Sequence, residues 1–329
     1  MNHQSTVSSE RIKLGIACVY FYAEHGGWIL DLQLKYLADT LSGYDYTIYA
    51  GANRLQEQLR DTLESTSRVK IVDLPHYDGT GNREHAVYLD QLLRTAAEDG
   101  CTHIAALDSD SFAILPNWPK YLLDKMGRRI RFAAVLRAEN GDTHLPHPCG
   151  YFMHTSFLVD RRPQLFPEAR ELESERFGVF LTQTSQRVDT GIGYGHALWR
   201  SGEPWLQLRR TNSLEPHFLM AGIYGGVFFH LGASSRRPAF HQDYTTRPSL
   251  RLAARLRERP LLWRMAACLE NRYLTQNTRI FEAIASRLRS DPEEFIAALE
   301  GYTRRPDGDL FETPSSWPQG LTCSDSPQR

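Results

Sequence analysis

The sequence predicts an α/β protein, a mostly parallel sheet flanked by helices, followed by a helical C-terminal extension. Three observations lead there. Short apolar runs alternate with helically spaced leucines through the N-terminal third of the chain, the pattern of strands wound with helices on both faces of a sheet. The run Ile104-Ala105-Ala106-Leu107 is continuously apolar, as a strand buried on both sides must be, and it stops at Asp108-Ser109-Asp110. Past Arg247 the period changes: Leu250, Leu256, Leu262, Leu269, Ile280, Ile284, Leu288, Phe295 and Leu299 follow helical spacing.

In chain order, residues 14–21 are apolar enough for a first strand, and His25-Gly26-Gly27 breaks it. Ile29, Leu30, Leu34, Leu37 and Leu41 then define a helix over 28–41 that Ser42-Gly43 closes. A second strand is expected over 46–50 and a helix on Leu55, Leu59 and Leu63. A third strand over 69–74 ends at Pro75, and Val87, Leu89, Leu92 and Leu93 form the apolar side of a helix over 83–98. Asn117 suits the start of a helix reaching Met126. A strand follows over 132–136, and Gly141, Pro146, Pro148 and Gly150 mark an irregular stretch. Residues 152–159 read as a strand, 161–187 as a short helix and a mobile loop, and 190–199 as a helix entered through Asp189. Residues 205–208 are extended, and a strand over 222–229 delivers His230. These readings divide the chain into a disordered start (1–10), a catalytic domain (11–245), a helical segment (246–305) and a disordered tail (306–329).

Bulk properties narrow the function. The 329 residues carry a net charge of −1, which provides no basic field to attract nucleic acid. The five cysteines are scattered, without C-x-x-C spacing, and read as reduced thiols of a cytoplasmic protein. Residues 1–10 lack the apolar core of a signal peptide, and no apolar run approaches the roughly 20 residues of a membrane span. The arginines from 247 to 272 allow two readings. One is a basic amphipathic surface peripheral to an anionic membrane; the other is a set of helices packed on the main domain with a solvated basic face. Pro260 and the interspersed acids favour the packed arrangement.

The chemistry centres on Asp108 and Asp110. Residues i and i+2 of an extended chain share a face, so two carboxylates can meet at the carboxyl end of a strand, where open α/β sheets bind ligands. Neighbouring carboxylates repel, and a divalent cation such as Mg²⁺ or Mn²⁺ holds them together; a solvated Asp-Ser turn is the plain alternative. Phe228-Phe229-His230 reads as a strand running into a histidine, either a ligand of the same cation or a hydrogen-bonded strand end. The Gly-Ser loop beyond it bears Arg236 and Arg237, suited to phosphate oxygens. Asp189 is either a helix cap or a carboxylate facing an acceptor hydroxyl. Gly79-Thr80-Gly81 leads into a helix start at which Arg83 can reach a diphosphate or a sugar. The spacing there matches neither a dinucleotide fingerprint nor a P-loop.

With these residues in place, residues 13–244 resemble a nucleotide-sugar glycosyltransferase of the GT-A fold, one bearing the Asp-x-Asp motif. The features that carry the resemblance are the strand ending in Asp108-Ser109-Asp110, the Asp189-Thr190-Gly191 helix start and the late strand ending in His230. The resemblance implies that Asp110 holds Mn²⁺ or Mg²⁺, that Asp108 holds the ribose or a metal-bound water, and that His230 completes the site. It implies Asp189 as the base or acceptor contact, and nucleotide-base contacts near residues 19–22 and Asp73. The implied donor is a nucleotide-diphosphate sugar, with UDP ahead of GDP, and the acceptor is a saccharide, a lipid-linked glycan or a small molecule. Loops over 141–150 and 170–186 would close over the donor. A rival reading is a haloacid-dehalogenase-type phosphatase, whose Asp-x-Asp-x-Ser/Thr signature would make Asp108 the nucleophile; three strand-helix units precede that motif here. A non-catalytic sugar-nucleotide-binding module is the third.

Overall fold

The computed structural model describes residues 12–22, 26–79, 81–232, 238–240, 244, 247–259, 262–300 and 311–312. The expected disordered start, and the tail apart from Phe311–Glu312, lie outside them. The first units are β1 (Lys13–Val19), α1 (Gly27–Thr40), β2 (Asp45–Gly51), α2 (Glu57–Ser65), β3 (Val69–Ile71), α3 (Asn82–Glu98) and β4 (His103–Asp108). Next come β5 (Ser111–Ala113), α4 (Trp118–Met126), β6 (Phe132–Leu136), β7 (His147–His154), α5 (Thr155–Arg161), α6 (Ala169–Leu172), α7 (Glu175–Thr184) and α8 (Ile192–Ser201). The chain continues with β8 (Leu206–Arg209), β9 (Gly222–Tyr224), β10 (Phe228–His230), α9 (Pro248–Arg257), α10 (Trp263–Ser290), α11 (Pro292–Glu300) and β11 (Phe311–Glu312).

The main sheet runs β3-β2-β1-β4-β7-β6-β8-β11. All neighbours are parallel except where β7 lies reversed between β4 and β6, and where β11 pairs against β8. This is the mostly parallel, helix-flanked sheet that the GT-A resemblance implies. Both faces are covered, which is why the strands read as continuous apolar runs. Alternate residues of β1 and β4 serve opposite layers. Leu14, Ile16, Cys18, Ala105 and Leu107 pack toward α1 and the C-terminal helices, whereas Ala17, Ile104 and Ala106 pack under α3 against Leu89, Leu92, Leu93 and Ala96.

Several expectations give way to tertiary context. The strand expected over 152–159 is β7, which starts earlier, and its second half is the helix α5. Pro148 and Gly150 are tolerated because the β6–β7 register shifts at this point, from Ala134 opposite Tyr151 to Val135 opposite His147, and a bulge frees residues from the ladder. Gly150 also has a packing reason, since a Cβ there would lie 2.7 Å from the Phe228 ring. The stretch expected to hold a mobile loop, 161–187, forms α6 and α7. Ser174 caps α7 by accepting from Phe177 N (3.2 Å), and Phe177 and Phe180 pack with Leu145 and Ile192. The single strand expected over 222–229 is a hairpin, β9 and β10, turned by Gly225 and Gly226 with φ of 60° and 65°. Strand β5 has no counterpart among the expected elements. Asn117 does precede α4, in a left-handed conformation and without a side-chain cap.

The extension packs on the main domain through its last turns, from Ile284 onward. Ile284, Leu288, Phe295, Ile296 and Leu299 join the core on the α1 side, the Arg289 guanidinium lies over Trp28, and Lys35 pairs with Glu293 at 3.1 Å. Among the described residues no helix is long and apolar enough to cross a membrane. Leu252, Trp263 and Met265 remain exposed.

Asp90 on α3 is buried, with Oδ2 accepting from Leu165 N at 2.9 Å. Burial pushes its carboxyl up to about 7 from 3.8. Between those values the folded chain holds a proton that the unfolded chain releases, so stability falls as pH rises through the window and levels off above it. Asp90→Asn retains an acceptor for Leu165 N. Its melting midpoint is expected to vary less than the wild type's between about pH 4 and pH 7 and to lie higher at pH 8, as calorimetry across that range would show.

Candidate active site

Strand β4 leaves the sheet at Asp108, opposite Val19 at the end of β1, and turns through Ser109 and Asp110 directly into β5. Asp108 and Asp110 therefore meet through a tight turn and not through the side-chain alternation of an extended strand. Polar groups fasten this turn from beneath. Gln33, fully buried on α1, donates from Nε2 to Asp108 O (3.0 Å) and Ser111 O (2.6 Å). Tyr22 Oη donates to Ser109 O (2.9 Å), Ser109 Oγ to Phe21 O (3.1 Å) and Ser111 Oγ to Asp108 O (3.1 Å).

Strand β5 then pairs antiparallel with β10, placing Ser111 opposite His230, and Leu231 N donates to Asp110 O at 3.0 Å. This pairing carries the imidazole to the acids. His230 Nε2 lies 3.3 Å from Asp110 Oδ1 and 3.7 Å from Asp108 Oδ2. Cys149 of β7 joins them: its sulfur, a carboxylate oxygen of Asp108 and a ring nitrogen of His230 all lie within 4.8 Å of one another. On the outer side, His85 Nε2 stands 3.7 Å from Asp108 Oδ1. Burial works against a charged His230, but Cys149 and Asp110 outweigh it and hold the imidazole well above its usual value. Burial also pushes the Cys149 thiol up, while His230 acts in the opposite direction.

Asp108 and His230 line a cavity of about 350 Å³ together with Asp189, Arg137, His147 and His85. Asp189 is not the cap of α8. That position belongs to Gly191, at φ +100°, where a Cβ would meet Pro146 O at 2.1 Å. The carboxylate of Asp189 is instead held at Oδ1 by Asn82 Nδ2 and by Thr190 N, both at 2.8 Å. The glycine-led start of α3 thus contributes Asn82, not Arg83. The exposed Arg83 guanidinium lies 4.9 Å from the Phe166 ring centre and lines no part of the cavity. Asp73 is exposed beyond β3 and is likewise outside the cavity wall, whereas Val19, Tyr20 and Phe21 form part of it. Arg236 and Arg237 lie outside the described residues.

Sequence reasoning missed Arg137. It is the first residue after β6, partly buried, with Nε 3.6 Å from Asp142 Oδ2. An apolar strand ending in a charged residue is the signal recognised at Asp108, and the same signal marks Arg137. Cys149 and His147 carry no comparable mark, since their stretch reads as irregular. Two carboxylates and an imidazole converging on one point fit a divalent cation in donor type and spacing.

No family model matches the sequence, and no curated protein matches it. Solved structures do resemble parts of it. One is a mannosyltransferase from Pyrobaculum calidifontis in complex with GDP-Man and Mn²⁺ (12% identity, 48% of each chain, TM-score 0.35). Another is the galactosyltransferase LgtC with donor and acceptor sugar analogues (10% identity, 56% of this chain and 69% of that one, TM-score 0.34). A third is a cytidylyltransferase from Leptospira borgpetersenii (13% identity, 46% and 63%, TM-score 0.31). The chain spans about half the length of the first of these. At such TM-scores the likenesses carry no conclusion about this chain's chemistry, which rests on its own residues.

Gln33→Met keeps the volume on α1 but removes the donor to two buried carbonyls. A loss of about 1–3 kcal/mol in unfolding free energy is expected, measured by urea titration, with the Asp108–Asp110 turn showing the largest gain in amide exchange.

Proposed function

We propose that this chain is a cation-dependent glycosyltransferase that moves a sugar from a nucleotide diphosphate to an acceptor hydroxyl. The observation behind this reading is the convergence of Asp108, Asp110 and His230, at 3.3 and 3.7 Å, beside a cavity that Asp189 and Arg137 also line. In this reading Asp110 and His230 hold a divalent cation such as Mn²⁺ or Mg²⁺, with Asp108 as a further ligand or as the ribose contact. When bound, the cation neutralises charge on the departing diphosphate. Arg137 supports the same charge from the cavity wall. Arg236 keeps its proposed part as a phosphate contact, because Gly232, four residues before it in the sequence, lines the cavity. Arg83 and Asp73 have no part.

The acceptor oxygen attacks the anomeric carbon as the bond to the diphosphate breaks through an oxocarbenium-like transition state. Asp189 takes the hydroxyl proton. Its Oδ1 is engaged by Asn82 and Thr190, which orients the carboxylate and leaves Oδ2 to receive the proton. The domain division follows the same reading, with residues 11–245 as the catalytic unit. A lipid-linked acceptor suits the exposed Leu252, Trp263 and Met265, which stand among the exposed Arg251, Arg255, Arg259 and Arg264, a combination that favours an anionic surface.

UDP, tested first, and GDP are expected to raise the melting midpoint only with Mn²⁺ present. Asp110→Ala is expected to lose that shift and all cation-dependent transfer while keeping its far-ultraviolet dichroism. Metal-dependent transfer surviving in Asp110→Ala would remove the basis for this assignment. Asp189→Asn is expected to keep nucleotide binding and lose about 10²–10⁴ in transfer rate; an unchanged rate excludes Asp189 as base. Aryl phosphate hydrolysis abolished by Asp108→Asn would favour the phosphatase reading, and nucleotide binding without turnover of any sugar donor the binding module.

A further inference from the structure

We infer that Cys149 is a ligand of the site cation and biases the site toward a borderline-soft ion, zinc or cobalt, over magnesium. The inference rests on the reading of this pocket as a cation site and deepens it. Cys149 has no exposed surface, yet its sulfur does not face apolar neighbours alone. It shares a space of 4.8 Å with a carboxylate oxygen of Asp108 and a ring nitrogen of His230. A cysteine buried only for packing behaves as a small hydrophobe, and a carboxylate with an imidazole is unusual company for one. One sulfur, one nitrogen and one oxygen are a donor set that zinc takes readily, at about 2.3, 2.0–2.1 and 2.0–2.2 Å. The 3.7 Å between His230 Nε2 and Asp108 Oδ2 is within a few tenths of an ångström of the roughly 3.3–3.5 Å that separates a nitrogen and an oxygen ligand on one tetrahedral zinc.

The backbone accounts for the placement. Cys149 lies within the β6–β7 irregularity, where the partner of β6 jumps from Tyr151 to His147. Bulges re-aim side chains and cluster beside active sites. Hard cations prefer oxygen, and a thiolate selects zinc, cobalt or softer ions. On binding, the S–H bond of Cys149 breaks, a sulfur–metal bond forms and the proton passes to solvent. Asp110, 3.3 Å from His230, stands next to this trio and can complete the shell or bind through water.

Cobalt is the discriminating probe because its spectrum reports its ligands. The full-length chain, stripped of metal and kept anaerobic, is titrated with Co²⁺ alone. The expected result is visible d–d absorbance together with a near-ultraviolet sulfur-to-cobalt charge-transfer band. Cys149→Ser and Cys149→Ala should lose the band and weaken cobalt binding by about tenfold or more. Cys268→Ser, which removes an exposed thiol, should keep both. Visible absorbance without the charge-transfer band in the wild type would overturn the role of Cys149 and leave the cation site standing. A band that persists in both Cys149 variants would overturn it as well. No cobalt signal at all, in a chain that retains its fold, would overturn this inference and the cation-dependent reading together. The wild-type spectrum tests the role of Cys149 even if both variants fail to fold.

Discussion

The short antiparallel pairing of β5 with β10 is the constraint on which the site depends. Three residues on each side set Ser111 against His230, and the next amide, Leu231 N, reaches back to Asp110 O. Without that register the acids at the end of β4 and the imidazole would belong to separate parts of the molecule. The pairing is buried and backed from both sides. Phe112 stacks on Tyr36 of α1, with ring centres 4.6 Å apart, and Phe228 meets Trp118 of α4 at 5.3 Å. Phe229 faces Phe295 of the C-terminal α11 at 6.5 Å. The helical extension is therefore part of what holds the hairpin against the acid turn. Phe295→Ala would act on the site through β10, without touching any ligand.

Electrostatics explains why the turn needs so much support. Two carboxylates at one point repel each other, and in a partly buried place the repulsion is screened less than in water. The chain meets this in two ways. Gln33, Tyr22 and two serine hydroxyls fix the backbone of the turn, so that the side chains cannot simply swing apart. The imidazole of His230 is set between the two acids and held toward its charged form by Asp110 and Cys149 against the pull of burial. A divalent cation would take over the neutralising part of that role, which is why the same geometry suits a ligand site.

The sheet determines where charge can gather. Its strands are covered on both faces, so polar chemistry is confined to their ends. Asp108 ends β4 and Arg137 follows β6, and the reversed β7 between them supplies Cys149 and His147 from its opposite end. The cavity lies at the carboxyl ends of the parallel strands, with α3 and the loop before α8 closing its rim through the Asn82–Asp189 bond. The acidic and basic walls of the pocket thus come from strands on either side of β7, and one bond between the start of α3 and the loop before α8 sets the orientation of the candidate base.

Local pattern was enough for much of this protein. The early strands and helices, the acid pair at the end of β4 and the late histidine are all written in apolar period and in the residues that interrupt it, because burial on two faces leaves a strand no other composition. Register, bulges and hairpins are decided elsewhere. Pro148 and Gly150 read as loop until β6 and β4 enclose them, Phe177 and Phe180 read as part of a mobile stretch until Ile192 and Leu145 cover them, and β5 is too short to recognise before β10 pairs with it. Arg83 and Asp73 carried suitable chemistry, but the faces on which they lie turn them outward. Arg137 and Cys149 enter the pocket only because distant strands become neighbours. Side-chain type and spacing act over a few residues, whereas the meeting of groups far apart in the chain depends on which backbones exchange hydrogen bonds, and that is settled only when the whole core packs.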